Sequence, residues 1–275
     1  YSIGDSQFRI DPFPLWGENA GEEAVAATLR ANGLTPKQNL AHVNVLMLRI
    51  AGKVWLVDTG YGPNAQRPGE LLKHLATLGV TPADVEGIIL THLHGDHTGG
   101  LTNKEGALVF PNATYFVNRI ERDFWAGTPD LSKTKLADDW KKGMIAGAQQ
   151  TVSLLEKTKK LQLVDDGTKV HTGLSVKLTG GHTPGHQTVI IDSAGTHFEM
   201  LADAVHHHAL SFQHPEWHAM FDFDAQQGAQ ARRAVLDRVM NEGSLVMCYH
   251  TPWPGVGRVV RMGDAFRWTP EPWEW

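Results

Sequence analysis

Cysteine is almost absent from this chain of 275 residues; the single one is Cys248. No disulfide can form within the chain, and metal sites built on several thiolates are excluded. Any metal must therefore rest on nitrogen and oxygen ligands. No apolar run reaches the roughly 18 residues that a membrane-spanning helix needs. Positive charge is not in excess: Lys and Arg total 25 against 30 Asp and Glu, a formal net charge of −5. That balance argues against a nucleic-acid partner, which usually calls for a basic face. Low-complexity tracts, charge runs, short-period repeats and Pro/Ser linkers are missing as well, so a single domain over residues 1–275 is expected. The chain opens on Tyr1 and not on methionine, which gives the expectation of a processed product.

What remains is the composition of a soluble globular protein, 41% apolar and 20% charged, long enough to bury a core without staples. Histidine is the exception to that ordinary picture, at 15 residues. Where those histidines fall is the main evidence in the sequence.

Along the chain, 44–50 and 53–58 read as buried strands joined by a tight turn at Ala51-Gly52. Residues 68–79 carry Leu71, Leu72, Leu75 and Leu78 on one helical face. Ile88-Ile89-Leu90 is a short strand running straight into a histidine cluster. Another strand is expected over 114–118 and a long amphipathic helix over 135–157. Strands at 161–164, 169–179, 187–192 and 197–202 follow. A helix over 224–241, a strand over 244–249 and a hairpin or strand over 256–268 complete the reading. Several direct strand-to-strand turns favour sheet packed on sheet, covered by helices, over a simple βαβ series.

The cluster is Thr91-His92-Leu93-His94-Gly95-Asp96-His97. His92 and His94 are two apart, so an extended strand end points both to one side. Gly95 lets the backbone turn, and Asp96 and His97 can then face a second point nearby. One short loop can supply two ligands to each of two metals, whereas a solvated polar loop has no need of such a pattern. Three or four protein ligands are needed per metal. His182, Asp203 and His250 are the remaining candidates, each delivered by the end of an expected strand. Cys248 lies inside an apolar strand and reads as packing.

In this order, Asp58, His92-x-His94-x-Asp96-His97, His182, Asp203 and His250 resemble the signature of the metallo-β-lactamase superfamily. Phe110-Pro111-Asn112-Ala113, Asp123-Phe124-Trp125, His182-Thr183-Pro184-Gly185-His186 and Pro254-Gly255-Val256-Gly257 resemble its methyl parathion hydrolase and lactonase-like branch. So does Phe266-Arg267-Trp268. The resemblance covers the chain from about residue 40 onward and implies an α/β fold, a four-layer αββα sandwich.

Carried onto this chain, the resemblance places one metal on His92, His94 and His182 and the other on Asp96, His97 and His250, with Asp203 bridging. Asp58 and His186 stand behind them as hydrogen-bond partners. Trp125, Phe124, His206 and Trp253 are expected in the substrate pocket, with Trp217 as a further aromatic. Ala202 replaces the glycine that relatives place before the bridging aspartate, a change that is tolerable if its φ stays negative. Of the run His206-His207-His208, one ring is expected to face inward.

The implied cofactors are two divalent ions, zinc by default, with iron, manganese or cobalt suited to the same ligands. The implied activity is hydrolysis of a small ester-like bond: a lactone, aryl ester or aryl phosphotriester. The attacking species is a hydroxide bridging the metals, with Asp96 and Asp203 as the catalytic carboxylates. A β-lactamase is disfavoured by Asp203, which that class generally lacks. A thioester hydrolase of the glyoxalase II type is disfavoured by the short stretch after His250. A metal-free binding protein would have lost ligands. Partners are a small-molecule substrate, no nucleic acid, no membrane, and a second copy in a homodimer. Trp268, Trp273 and Trp275 could pack at that interface. Export to the periplasm is favoured over a cytoplasmic location.

Overall fold

Two apolar stretches, β2 (Asn39–Ile50) and β3 (Lys53–Val57), pair antiparallel with Ile50 opposite Lys53. Ala51 and Gly52 between them both take positive φ, 49° and 80°, the twist that a two-residue hairpin requires. The computed structural model describes residues 1–63, 65 and 68–272; Trp273 and Trp275 lie outside these residues. Before the hairpin come β1 (Ser2–Ile10), a single turn α1 (Pro12–Leu15) and α2 (Glu22–Ala31). These are elements that the sequence reading did not assign. After it come α3 (Leu71–Thr77), β4 (Val85–Ile89), the turn α4 (Gly95–Thr98), β5 (Thr114–Asn118), α5 (Arg119–Ala126), α6 (Asp138–Lys157) and β6 (Leu161–Val164). Six strands, β1 to β6, form one sheet in strict chain order.

The rest of the chain builds the second sheet. Its elements are β7 (Lys169–His171), β8 (Leu174–Leu178), β9 (Gln187–Ser193), β10 (Thr196–Ala202), α7 (Leu210–Gln213), α8 (Ala225–Glu242), β11 (Leu245–Cys248), β12 (Val256–Met262) and β13 (Ala265–Pro270). These seven strands also lie in chain order. The single strand expected over 169–179 is two: Gly173, at φ 71°, turns the chain back between β7 and β8. The helix expected over 68–79 is shorter, Leu71–Thr77.

Both sheets are mixed. In the first, β3 to β6 pair parallel after two antiparallel pairs; in the second, β10 and β11 are the parallel pair. The inner faces pack on each other through Leu46, Trp55, Val57, Ile89 and Phe116 from one side and Val176, Val189, Met200 and Met247 from the other, with Trp55 meeting His171 of β7 edge-on. Leu71 and Leu75 of α3 and Ala148, Val152 and Leu155 of α6 cover the first sheet. Val235, Leu236 and Val239 of α8 cover the second, packing on Leu201, Val246 and Phe266. The result is the αββα sandwich. Asp224 caps α8 by accepting from the Gln226 and Gln227 amides, and Gly243 ends it at φ 67°. No helix among the described residues is long and apolar enough to cross a membrane.

Candidate metal centre

Strand ends deliver the polar residues to one edge of the sandwich. Asp58 follows β3, His92 and His94 follow β4, His182 follows β8, Asp203 follows β10 and His250 follows β11. The loop around His97 packs directly on the loop after Asp58. A Cβ on Gly99 or Gly100 would collide with the Tyr61 or Thr59 carbonyl, so glycine is required for that approach.

The sequence-predicted ligands converge in two groups that share a carboxylate. Ligand atoms of His92, His94 and His182 lie within 4.8 Å of one another, as do those of Asp96, His97 and His250. His182 Nε2 is 3.0 Å from His94 Nδ1. His250 Nε2 is 3.3 Å from Asp96 Oδ2, and His97 Nε2 is 3.6 Å from it. Asp203 sits between the groups. Its Oδ1 is 3.3 Å from His97 Nε2, and its Oδ2 is 3.4 Å from both His182 Nε2 and His250 Nε2. His92 Nε2, His97 Nε2 and Asp203 Oδ1 are buried and make no hydrogen bond. Buried polar groups are normally paired, so this constellation has room and need for cations.

The far nitrogens of His92, His97, His182 and His250 are held, whereas His94 turns its Nδ1 toward the cluster. Asp58 accepts from the Thr91 amide and hydroxyl, both at 2.8 Å, and from His97 Nδ1 at 2.8 Å. His92 Nδ1 donates to Thr91 Oγ1 at 3.1 Å, and His250 Nδ1 to the His42 carbonyl at 2.8 Å. His182 Nδ1 donates to Asp222 Oδ1 at 2.9 Å, and Arg232 holds the other Asp222 oxygen at 3.0 Å. Each bond puts the proton on Nδ1 and turns the Nε2 lone pair inward, the arrangement a metal ligand needs. His186 does a different job. Its Nδ1 donates to Thr179 Oγ1, and its Nε2 accepts from the Asp203 amide at 3.2 Å. His186 thus positions Asp203 through the backbone.

The electrostatics divide along the same line. Burial holds His92 well below the usual imidazole range and His94 down at about 3, with neighbouring histidines adding to the effect. Burial also opposes charge on His97 and His250, but there the carboxylates win. Asp203, Asp96 and Asp58 raise His97 well above the ordinary value, and Asp203 and Asp96 push His250 up to about 10. Carboxylates that favour a proton at those nitrogens favour any cation there.

Ala202 corrects one expectation: its φ is +46°, not negative. The residue turns Asp203 inward from a left-handed conformation, which costs a non-glycine residue about 1–2 kcal/mol. Asp58, at φ 63°, makes a similar turn after β3, but aspartate tolerates that region better.

Above the centre lies a cavity of about 1140 Å³, floored by His94, Asp96, His182, Asp203, His206 and His250. Phe8, Ile10, Leu15 and Trp16 form one wall; Leu136, Trp140, Met144, Met220 and Phe221 contribute to the rest. His206 is the inward member of the histidine run. It is 3% exposed, both ring nitrogens lack partners, and Nε2 is 3.5 Å from Asp203 Oδ2. His207 instead accepts from the Ala209 and Leu210 amides at the start of α7, and His208 stacks on it.

The other expected pocket residues lie elsewhere. Trp125 is 1% exposed behind the ligand loop, donating from Nε1 to Glu121 at 2.7 Å. Phe124 packs on Trp125 and Phe223. Trp253 is 48% exposed in a separate groove with Tyr1, Ser2 and Gly4. Trp217 stacks on His214. Aromatic content near the motifs misled here, because the wall comes from other segments.

Sequence reasoning also missed Glu121, Asp222 and Arg232. Glu121 is fully buried, and burial pushes its carboxyl up despite four hydrogen-bond donors. The available signal for Arg232 was a charge on the otherwise apolar stripe Ala229, Val235, Leu236, Val239 of α8.

A two-sheet sandwich with histidine and aspartate clusters at one edge defines a metallohydrolase-type architecture. Residues 39–250 match the sequence profile of the Metallo-beta-lactamase superfamily, and the chain belongs to that family. An N-acyl homoserine lactonase, AttM of Agrobacterium fabrum, is 31% identical over 138 residues, 48% of this chain and 45% of that protein. The chain thus matches less than half the length of that relative. The AttM of Rhizobium johnstonii is 27% identical over 205 residues, 70% of this chain and 68% of that protein. Among solved structures, the dizinc quorum-quenching lactonase AidC superposes with a TM-score of 0.93 at 27% identity, covering 99% of this chain and 94% of AidC. The hydrolase AbOPH of the β-lactamase superfamily gives 0.89 at 25% identity, with 99% and 94% covered.

Proposed function

We propose that this protein is a metal-dependent lactonase with two divalent ions. His92, His94 and His182 would hold one, Asp96, His97 and His250 the other, and Asp203 both. The observation that carries the reading is the pair of ligand groups sharing Asp203 at the floor of a largely apolar cavity. Imidazole and carboxylate donors fit zinc, and the dizinc AidC supports that choice. Two such ions supply Lewis acidity and lower the pKa of water to about 7.

The chain's own residues do the rest. Asp58, Asp222 and the His42 carbonyl fix the imidazoles, while His186 fixes Asp203. Phe8, Ile10, Leu15 and Trp16 exclude water and bind an apolar substrate tail. His206 has a free ring N–H that can meet the substrate's reacting oxygen. An N-acyl homoserine lactone, as acted on by the relatives, combines a cyclic ester with such a tail. Aryl esters and aryl phosphotriesters are a second reading, favoured by Trp16, Trp140, Phe221, Phe8 and Tyr61 around the cavity.

The test is a panel on zinc-reconstituted protein: an acyl homoserine lactone, a p-nitrophenyl ester, an aryl phosphotriester and a chromogenic cephalosporin, each with a chelator control. Lactone turnover with kcat/KM above about 10⁴ M⁻¹s⁻¹, abolished by chelator, is the expected result. Faster turnover of the cephalosporin than of the lactone would overturn the reading.

A further inference from the structure

Glu121 stands where the two halves of one ligand group meet. Asn118 caps α5 by accepting from the Ile120 amide at 2.9 Å, which fixes the first turn and buries Glu121 beneath the ligand loops. Glu121 Oε1 accepts from the Leu93 amide at 3.0 Å and from Trp125 Nε1 at 2.7 Å. Oε2 accepts from the Thr183 hydroxyl at 2.7 Å and from the Gly185 amide at 3.0 Å. Leu93 lies between His92 and His94, and Thr183 follows His182. One carboxylate therefore ties together the two loops that carry these three histidines. A Cβ on Gly185 would collide with the Glu121 backbone, so the loop sits as close as it can.

Both oxygens are saturated by donors, the pattern of an ionised carboxylate. None of the four partners carries a charge, and no Lys or Arg among the described residues bonds to Glu121. A buried anion without a counter-charge is costly, and the neighbouring histidine centre is where a cation would sit. The other ligand group is backed differently. Asp58 holds His97, the His42 carbonyl holds His250, and the Tyr249 hydroxyl donates to the Asp96 carbonyl. Glu121 bonds to none of these.

We propose that Glu121 is a positioning residue for the metal on His92, His94 and His182, and for that metal alone. It locks the two loops in register and supplies buried negative charge beside them. The inference rests on the two-metal reading above.

The experiment is a Co²⁺ titration of the apoprotein, followed by the visible absorption of bound cobalt. Wild type, Glu121→Gln, Thr183→Val and Asp58→Asn are compared. Glu121→Gln keeps the shape but removes the charge and turns an NH₂ toward donors. One cobalt equivalent should weaken about 10–100-fold, the usual cost of losing an outer hydrogen-bond partner, with the other unchanged. Thr183→Val removes only the hydroxyl contact and should weaken the same equivalent by a smaller factor. Asp58→Asn should weaken the opposite one more strongly, since Asp58 bonds to His97 directly and reaches His92 only through Thr91. Should Glu121→Gln fail to fold, Thr183→Val decides. The proposal is overturned if the folded variants take up both equivalents as the wild type does, or lose both alike. Wild-type protein that takes up fewer than two equivalents overturns the two-metal reading itself, and this inference with it.

Discussion

His92, His94, Asp96 and His97 lie within one short loop, whereas the cavity above them draws its walls from residues 8–16, 136–147 and 220–221. The two regions answer to different physics. Ligands must meet at fixed distances, so they sit on rigid strand ends and are held from behind by buried hydrogen bonds. A wall needs only apolar surface of roughly the right shape, and segments distant in sequence can supply it. Changes to the floor should therefore act on metal and turnover together, and changes to the wall on substrate preference alone.

Asp203→Asn should break the floor most completely. We expect kcat/KM to fall by more than about 100-fold, beyond the cost of losing an outer partner. Metal analysis should show a weakened pair. Near-normal turnover with two metals bound would remove Asp203 from its shared role. Asp222→Asn should cost about 10–100-fold in metal affinity, read by competition with a chelator, because His182 loses the anion that orients it. Met144→Trp acts on the wall. KM for a long-chain lactone should rise about tenfold, with short chains and metal content little changed. Equal losses on both substrates would show that wall and floor are not separable.

Two smaller effects test the backbone. Ala202→Gly should raise stability by about 1 kcal/mol in denaturant unfolding, since glycine adopts positive φ without strain. Asp224→Ala should lower it by about 1 kcal/mol near neutral pH through loss of the α8 cap. Lys133 and the Gln227 and Gln226 amides hold the Asp224 carboxyl below its ordinary value of 3.8. A depressed folded pKa contributes stability above the unfolded value and loses it as pH falls through the folded one. The difference between variant and wild type should therefore be full at pH 6 and shrink below about pH 4.

The same contrast explains what could be read from the sequence. The candidate ligands could be picked out because they are compressed into H-x-H-x-D-H and strand-end positions, and the structure brings those residues together. The strands of the core were legible from apolar runs, although Gly173 hid a turn inside one of them. The wall was not legible, because nothing local marks Phe8 or Met144 as facing a cavity rather than a core. Glu121 and Asp222 escaped for a related reason: a single carboxylate looks the same on a surface helix or loop as when it is buried against four donors. Ala202 shows the limit of arguing from residue type, since its backbone angle is set by what Asp203 must reach.

Each sheet is made from one continuous half of the chain, and the metal centre takes residues from both. His92 to His97 belong to the first half; His182, Asp203 and His250 belong to the second. The two sheets share one core, so neither half can bury its inner face until the other is in place. The centre is complete only once His250 has left the ribosome, some 150 residues after His97. A cation held there would act as a clasp between the two halves of the chain.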